Sequence, residues 1–374
     1  MKILVLSCST GEGHNSAAKA VIEALVSCGV ECELLDPIIF KSEKRMKFVA
    51  NLYNSCISKM PWFFGIVYKA GQLYDASPLP SPVAYANSKY AKPLSEYVIA
   101  GGYDAVIATH IFAMAAMDAV RKKHGVNIPV YTVITDYTVI PFHTDSIDLD
   151  CHFVPTESEK KTLVKKGFDP EKIEISGIPT SPKFSLPITK SEAKARLGIE
   201  EDKRIVSILS GGAGCGKLTK LCRKMSKALD DGHHIYVFSG KNEKLRDKLR
   251  ECFADDKKIT VIDFTPDVNI YTKASDVVLS KPGGLSSTEI VNSNVPFVHL
   301  KAIPGCESCN IKYFTKQGIS LPGKSIRSAV KQTVKLLSDT EAAENMMARQ
   351  RECIPNNSAL FIAQKVLKDL GKTE

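Results

Sequence analysis

"KILVLSCSTGEGHNSAAKAV", Lys2 to Val21, sets a short unbroken apolar run against a glycine turn and then a helix-period pattern. An apolar run without alternation, closed by a turn, is how a parallel strand buried on both faces reads. After the turn, Ala17, Val21, Ala24 and Leu25 recur at helical spacing, with Asn15 as the expected N-cap. Strand, glycine turn, helix brings free backbone amides and the positive end of a helix dipole to one point, which favours an anion. His14 stands in that turn, where packing alone gives little reason for a histidine.

Outward from this stretch the same alternation continues. "VECELLD", "YDAVIATH", "PVYTVITD", "CHFVPT" and "IEISGIP" read as further strands with helical runs between them. That order predicts a doubly wound α/β domain. The polar, three-proline stretch "SGIPTSPKFSLPITKSEAKARLG" reads as a linker. The pattern then restarts with "RIVSILS", a glycine turn, a helix from about Lys217, and the strands "HHIYVFSG", "KITVIDF", "ASDVVLSKPGG" and "VPFVHL". The expectation is two doubly wound, Rossmann-like domains facing a central cleft, with ligands at the carboxyl ends of the strands.

Length and composition agree with this. The 374 residues suffice for two cores, and 44% apolar with 24% charged residues is a globular balance that excludes disorder for most of the chain. The formal net charge of +9 favours acidic partners, and charge alone does not choose among membrane, nucleic acid and phosphorylated small molecules. Eleven scattered cysteines suit a reducing compartment better than a disulfide framework. The one close pair, Cys306 and Cys309 in "CESC", lacks a second pair for zinc and the context of a redox motif. "MKILVLSC" is too short for a signal peptide, and no apolar run reaches the roughly 20 residues of a membrane span. A cytoplasmic protein is expected, free to lie on a membrane.

Three glycine turns invite competing readings. In "GEGHNSA" Ser16 occupies the third glycine position of a dinucleotide fingerprint, although Asp36 stands where a ribose-binding carboxylate would. "GGAGCGKL", Gly211 to Leu218, fits a phosphate loop until Leu218, where the magnesium-holding hydroxyl belongs; Thr219 is one place late. A phosphate cradle that uses no metal keeps such glycines and drops the hydroxyl. The third turn, "SKPGGLSSTEIVNSNVPFVHLKAIPGCESCN", ends a strand at Ser280 and opens a helix at about Ser286, with Glu289 expected in its first turn. Glu289 is either a capping acid or a ligand for ribose hydroxyls. Glu307, expected in the loop after the next strand, is a second acid within reach of a sugar.

One region stands apart. Phe40 to Asp75 mixes lysines and Arg45 with Trp62, Phe63, Phe64 and Tyr68. Basic residues beside exposed aromatics suit the headgroup boundary of an anionic membrane; the other reading is a helical insert whose aromatics pack on the core.

Together, "GEGHNSAAKA", "VITDYTVIPFH" and "SKPGGLSSTEI" resemble motifs of the glycosyltransferase family of plant monogalactosyldiacylglycerol synthases, bacterial processive diacylglycerol glucosyltransferases and, more distantly, the peptidoglycan lipid-intermediate N-acetylglucosaminyltransferase. The resemblance spans nearly the whole chain and implies a GT-B fold. It implies an acceptor-binding, membrane-associating domain at 1–183, a UDP-sugar-binding domain at 184–350 and a helical tail at 351–374. Gly211, Gly212, Gly214 and Gly216 would cradle the diphosphate, with Gly283, Gly284, Ser286, Ser287 and Thr288 near the phosphates. Phe264 and Thr265 would meet uracil, Glu289 the ribose and Glu307 the transferred sugar. Cys306 stands where the family often has Gln, which leaves the sugar's identity open. Gly13, Phe142, Trp62, Phe63 and Phe64 fall to the acceptor and membrane side.

His14 is then the candidate general base for the acceptor hydroxyl, with Asp136 to orient it or to serve as base itself. The other reading of His14 is a helix-capping or phosphate-binding residue. His110 and His143 are weaker candidates, each at or near a strand end. The implied reaction is inverting transfer of glucose or galactose from UDP to diacylglycerol at the cytosolic membrane face, with UDP-sugar as co-substrate and no cofactor, metal or nucleic acid. A UDP-N-acetylglucosamine-dependent transferase acting on a polyprenyl lipid, a UDP-sugar epimerase and a non-catalytic nucleotide-sugar sensor are the alternatives.

Overall fold

The computed structural model describes residues 1–9, 12–42, 61–75, 77, 79, 81–210 and 217–372, the side chains of Pro61, Phe63 and Phe64 excepted. The chain divides into two compact units. One comprises Met1–Pro182, Pro304–Cys306 and Asn356–Glu374, the other Lys183–Ile303 and Glu307–Pro355. The stretch 351–374, read from sequence as one tail, is thus divided between them.

The first unit holds six parallel strands: β1 (Lys2–Leu6), β2 (Glu31–Leu35), β3 (Ala105–Ala108), β4 (Val130–Val133), β5 (Cys151–Val154) and β6 (Ile173–Ile175). Their order is β2-β1-β3-β4-β5-β6, with Leu4 opposite Glu33 on one side and Val106 on the other. Successive side chains of a strand face opposite ways. Ile3 and Val5 accordingly join Val21 and Leu25 of the helix Glu12–Ser27, and Ile362 and Val366 of the last helix, Ser358–Asp369. Leu4 and Leu6 join Leu94, Val98, Met117 and Val120 on the other face. Both faces are covered, which is why β1 reads as a continuous apolar run.

The second unit repeats the plan with β7 (Arg204–Leu209), β8 (His233–Phe238), β9 (Ile259–Ile262), β10 (Val277–Ser280), β11 (Phe297–His299) and β12 (Leu321–Pro322). The sheet order is β12-β11-β10-β7-β8-β9, all neighbours parallel. Counted from β7, this is the dinucleotide-binding order 3-2-1-4-5-6, with its switch point between β7 and β10. In the first unit the corresponding switch lies between β1 and β3. Ligands of open α/β sheets bind outside the carboxyl ends of strands at such points.

Three local expectations change. The first helix starts at Glu12, ahead of the expected cap at Asn15. Gly13 inside it costs about 1 kcal/mol against alanine, but Glu12 in the first turn suits the positive end of the dipole. The helix after β10 is Gly284–Asn292 with Gly283 as N-cap, so Glu289 falls in the second turn. Glu307 lies in the first turn of the helix Cys306–Lys316 and not in a loop.

The last helix closes one face of the first unit's sheet, and Ile362 in it is fully buried. Ile362→Ala is expected to cost the first unit about 2–5 kcal/mol, read from urea unfolding. A loss under about 1 kcal/mol would mean that this helix contributes little to the core.

Candidate active site

In the first unit three strand ends converge. β1 leads into the helix carrying His14, β3 into Thr109 and His110, and β4 into Thr135 and Asp136. His14 Nδ1 lies 3.0 Å from the carbonyl oxygen of Thr109 and 2.8 Å from the hydroxyl of Thr135. A carbonyl only accepts, so Nδ1 carries the proton and donates it. In the neutral ring Nε2 is then the acceptor. The ring lines a pocket with Thr109, Met114, Thr135, Asp136 and His143. Burial pulls the pKa of His14 below its usual value, against the opposing pull of the Asp136 charge and the Thr109 hydrogen bond. Its place in the first turn of a helix adds to the same downward trend. The ring is thus held neutral, with Nε2 as its unprotonated nitrogen.

His110 packs edge-on to His14, ring centroids 4.6 Å apart. Its Nδ1 accepts the N–H of Phe112 at 3.1 Å, capping the helix Ile111–His124. Burial first, and His14 second, hold its pKa well below the ordinary value, so it stays uncharged. His143 is buried in the same pocket, its pKa lowered to about 4 by burial and by Lys166, with Asp75 opposing. Thr109 and Thr135 were not singled out in the sequence, and they are the groups that fix the His14 tautomer.

Phe142 sits at φ +65, the left-handed region. Its N–H donates to Asp75 at 2.8 Å, and Asp75 also pairs with Lys166 at 2.6 Å. Asp75 ends the helix Pro61–Asp75, so this pairing ties the aromatic helix to the loop that carries His143. Trp62, Ile66 and Leu73, spaced to share one helical face, are 63%, 55% and 77% exposed. Packing on the core is therefore not what Trp62 does. The side chains of Phe63 and Phe64, and residues 43–60, lie outside the described residues.

In the second unit the turn after β10 opens the helix Gly284–Asn292. A Cβ on Gly283 would meet nothing nearer than Lys281 Cε at 3.9 Å, and its φ of −72 suits any residue. Neither the chain nor its neighbours require glycine there, and the missing side chain leaves the first amides of the helix open to approach. The Ser287 hydroxyl is turned inward onto His299 Nε2 at 2.9 Å, and His299 Nδ1 meets Ser320 at 2.9 Å. Thr288 donates to the Gly284 carbonyl at 2.8 Å. Of the three hydroxyls expected near phosphates, Ser286 is the one not committed to such an inward bond.

Glu289 has its pKa pushed up to about 7 by burial, with Lys183 opposing. Glu307 accepts the N–H of Ile303 at 2.8 Å, and its other oxygen lies 3.9 Å from Lys281 Nζ. Phe264 is 67% exposed, with Lys241 Nζ 5.7 Å from its ring centroid, and Thr265 accepts the N–H of Asp267. Gly211, Gly212, Gly214 and Gly216 lie outside the described residues. Asp36, the ribose candidate of the dinucleotide reading, accepts the N–H groups of Ile38 and Ser9 at 3.0 Å each. Its role is to cap the turn Pro37–Phe40. Cys306 and Cys309 form no disulfide, and among the described residues no cluster of His, Cys, Asp and Glu could hold a metal ion.

Residues 14–180 match the sequence model of monogalactosyldiacylglycerol (MGDG) synthase, and residues 205–365 that of the glycosyltransferase family 28 C-terminal domain. The chain belongs to this glycosyltransferase family. Among the curated relatives of the glycosyltransferase is a processive diacylglycerol beta-glucosyltransferase of Bacillus pumilus, 26% identical, with 98% of this chain and 94% of the relative covered. One of the same name from Staphylococcus aureus is 22% identical, with 99% and 92% covered. Its fold is that of solved two-domain GT-B structures. Acinetobacter baumannii MurG matches at TM-score 0.64 and 13% identity, with 98% of this chain and 99% of that one covered. A Neisseria meningitidis UDP-GlcNAc 2-epimerase bound to UDP-GlcNAc matches at TM-score 0.62 and 14% identity, with 99% of each covered. No helix among the described residues is long and apolar enough to cross a membrane.

Because the Asp136 charge raises the His14 pKa, Asp136→Asn should lower it further. Imidazole nitrogen NMR across pH should show His14 titrating below its ordinary 6.5, proton on Nδ1, and lower still in the variant. An upward shift in Asp136→Asn would contradict this arrangement.

Proposed function

We propose that this glycosyltransferase moves a hexose, glucose in the first instance, from its UDP-sugar to the free hydroxyl of diacylglycerol, with inversion at the anomeric carbon. The observation that carries the proposal is the His14 ring. Its Nδ1 proton is spent on the Thr109 carbonyl, so Nε2 is free to take a proton. As the diacylglycerol oxygen bonds to the anomeric carbon, its proton passes to Nε2, and the bond from that carbon to the diphosphate breaks with its electron pair leaving on UDP. One displacement inverts the centre. Helix amides and the dipole at Gly283–Gly284 would take up the charge on the leaving diphosphate, so the reaction runs without a divalent metal. Glu289 would accept both ribose hydroxyls. The names of the full-length relatives support glucose and diacylglycerol, and the exposed Trp62–Leu73 face suits a protein that collects its acceptor from an anionic bilayer surface on the inner side of the cell membrane.

The test is UDP release from UDP-glucose and UDP-galactose, assayed separately, with diacylglycerol in anionic vesicles and excess EDTA. Lipid-dependent release from UDP-glucose is expected. Release from UDP-galactose alone would reassign the sugar, and turnover of UDP-N-acetylglucosamine with no lipid would favour an epimerase. His14→Ala should lose about 10²–10⁴-fold in turnover and keep its affinity for UDP. Loss of both together would place His14 in donor binding.

Donor affinity should also depend on pH through Glu289. Ionised, the carboxylate accepts both ribose hydroxyls in charge-assisted bonds, and protonated it accepts them more weakly; in the free protein its pKa is raised to about 7. UDP binding is therefore full above that pH and weakens as pH falls through it, approaching about tenfold per unit. Calorimetric titration of UDP into the parent and into Glu289→Gln would check this: the variant should bind weakly at every pH, with that dependence gone.

A further inference from the structure

We propose that the second unit carries its own electrostatic contact for an anionic lipid bilayer, on the outward faces of the helices Leu218–Ala228 and Ile326–Ser338. This rests on the reading that the acceptor is a membrane lipid, and it concerns a surface separate from the aromatic helix of the first unit.

The first of these helices is sharply two-sided. Leu218, Leu221, Cys222 and Met225 are buried, while Lys220, Arg223, Lys224 and Lys227 are exposed. On the second, Ala329, Thr333, Leu336 and Leu337 are buried and Arg327, Lys331 and Lys335 exposed. The two helices pack against each other, and their inner residues share one core over the same face of the sheet. Their outer faces therefore stand side by side on the same surface.

Within the two helices the exposed charges are of one sign. Neither helix contains an acidic residue. No carboxylate among the described residues comes within ion-pair reach of these seven cations. The nearby helix Glu243–Cys252 differs: its Arg246 and Arg250 meet Asp263 at 3.5 and 2.8 Å. Acids stand at the helix ends: Asp230 pairs with His233 at 2.5 Å, Asp231 is exposed 3.9 Å from Lys258, and Asp339, after Ser338, caps the next helix by accepting the N–H of Ala342 at 2.9 Å. Like charges four residues apart, as at Lys220 and Lys224, Arg223 and Lys227, or Arg327, Lys331 and Lys335, cost a helix stability. Such an arrangement is explained by a partner and not by the fold.

The partner has to be anionic and has to meet a broad helical surface. Lysine and arginine near a negatively charged leaflet each strengthen attachment about fivefold. Neither helix carries an aromatic residue on which nucleic-acid bases could stack. The proposed acceptor resides in a bilayer, so the bilayer is the occupant the chemistry selects.

The full-length protein and the variant Arg223→Glu/Lys227→Glu/Lys331→Glu/Lys335→Glu would be sedimented with phosphatidylcholine vesicles and with equimolar phosphatidylcholine–phosphatidylglycerol vesicles, at low and high salt. The parent should prefer the phosphatidylglycerol vesicles and release them at high salt. The variant should bind them at least about a hundredfold more weakly. Its KM for UDP-glucose, measured with a short-chain dispersed diacylglycerol, should match the parent's. Should the glutamate variant not fold, the same four positions as glutamine serve, with a smaller loss in the same direction. Undiminished binding by a folded variant would overturn the proposal. So would equal binding of the parent to both vesicle types, or tighter binding of a nucleic-acid duplex than of the anionic vesicles. Absence of lipid-dependent UDP release with the vesicle result intact would count against the transferase reading and leave this surface standing.

Discussion

Parallel strands cannot be joined by tight turns, and this constraint arranges everything else. Each strand must hand the chain to a crossover, usually a helix, so helix N-termini with unpaired amides gather along one edge of each sheet. In both units the order of strands reverses at one point, and there two such edges part to leave room. His14, Thr109 and Thr135 stand at that edge in one unit, Gly283 to Glu289 in the other. Their chemistry follows from where the chain is obliged to turn.

Desolvation acts on both edges and prepares their groups in opposite senses. A histidine and a carboxylic acid both favour the neutral form when water is withdrawn. For His14 neutrality leaves Nε2 with an unprotonated lone pair, able to accept a proton. For Glu289, whose pKa burial lifts to about 7, the same withdrawal of water opposes the ionised form that hydroxyl donors would favour. The fold does not need separate devices for the two.

Much of this was legible in the residues. Eleven of the strands were legible: β1, β3 and β10, buried along nearly their whole length, read as almost unbroken apolar runs, while edge strands such as β2 (ECELL) and β6 (IEI) were read from their place in the alternation. β12, only Leu321 and Pro322, is too short to carry a pattern. Helix starts were less legible: glycine at Gly13 and Gly284 reads as a turn, yet each lies inside a helix. The serines of "LSST" were expected near the phosphates. The Ser287 hydroxyl instead meets a histidine twelve positions on, which only the folded chain reveals. Thr109 and Thr135, 95 and 121 positions from His14, belong to contacts that no local pattern announces. Asp36 was well placed in sequence for a ribose, and two backbone amides claim it first.

The return of the last helix to the first unit has a consequence for how the protein is made. Ile3, Val5, Val21 and Leu25 wait for Ile362 and Val366 to cover them. A ribosome adding about 5–20 residues per second finishes Pro182 well before it reaches Asp369. For roughly ten to forty seconds the first sheet has an open apolar face. The second unit, Lys183–Ile303 with Glu307–Pro355, can close within that interval, because all of its chain has been synthesised before the last helix begins. Order of synthesis and order of completion are thereby inverted: the unit begun first is the one sealed last. Premature termination between Pro355 and Ile362 would leave a chain with a finished second unit and an unsealed first, the kind of species that chaperones retain and proteases clear.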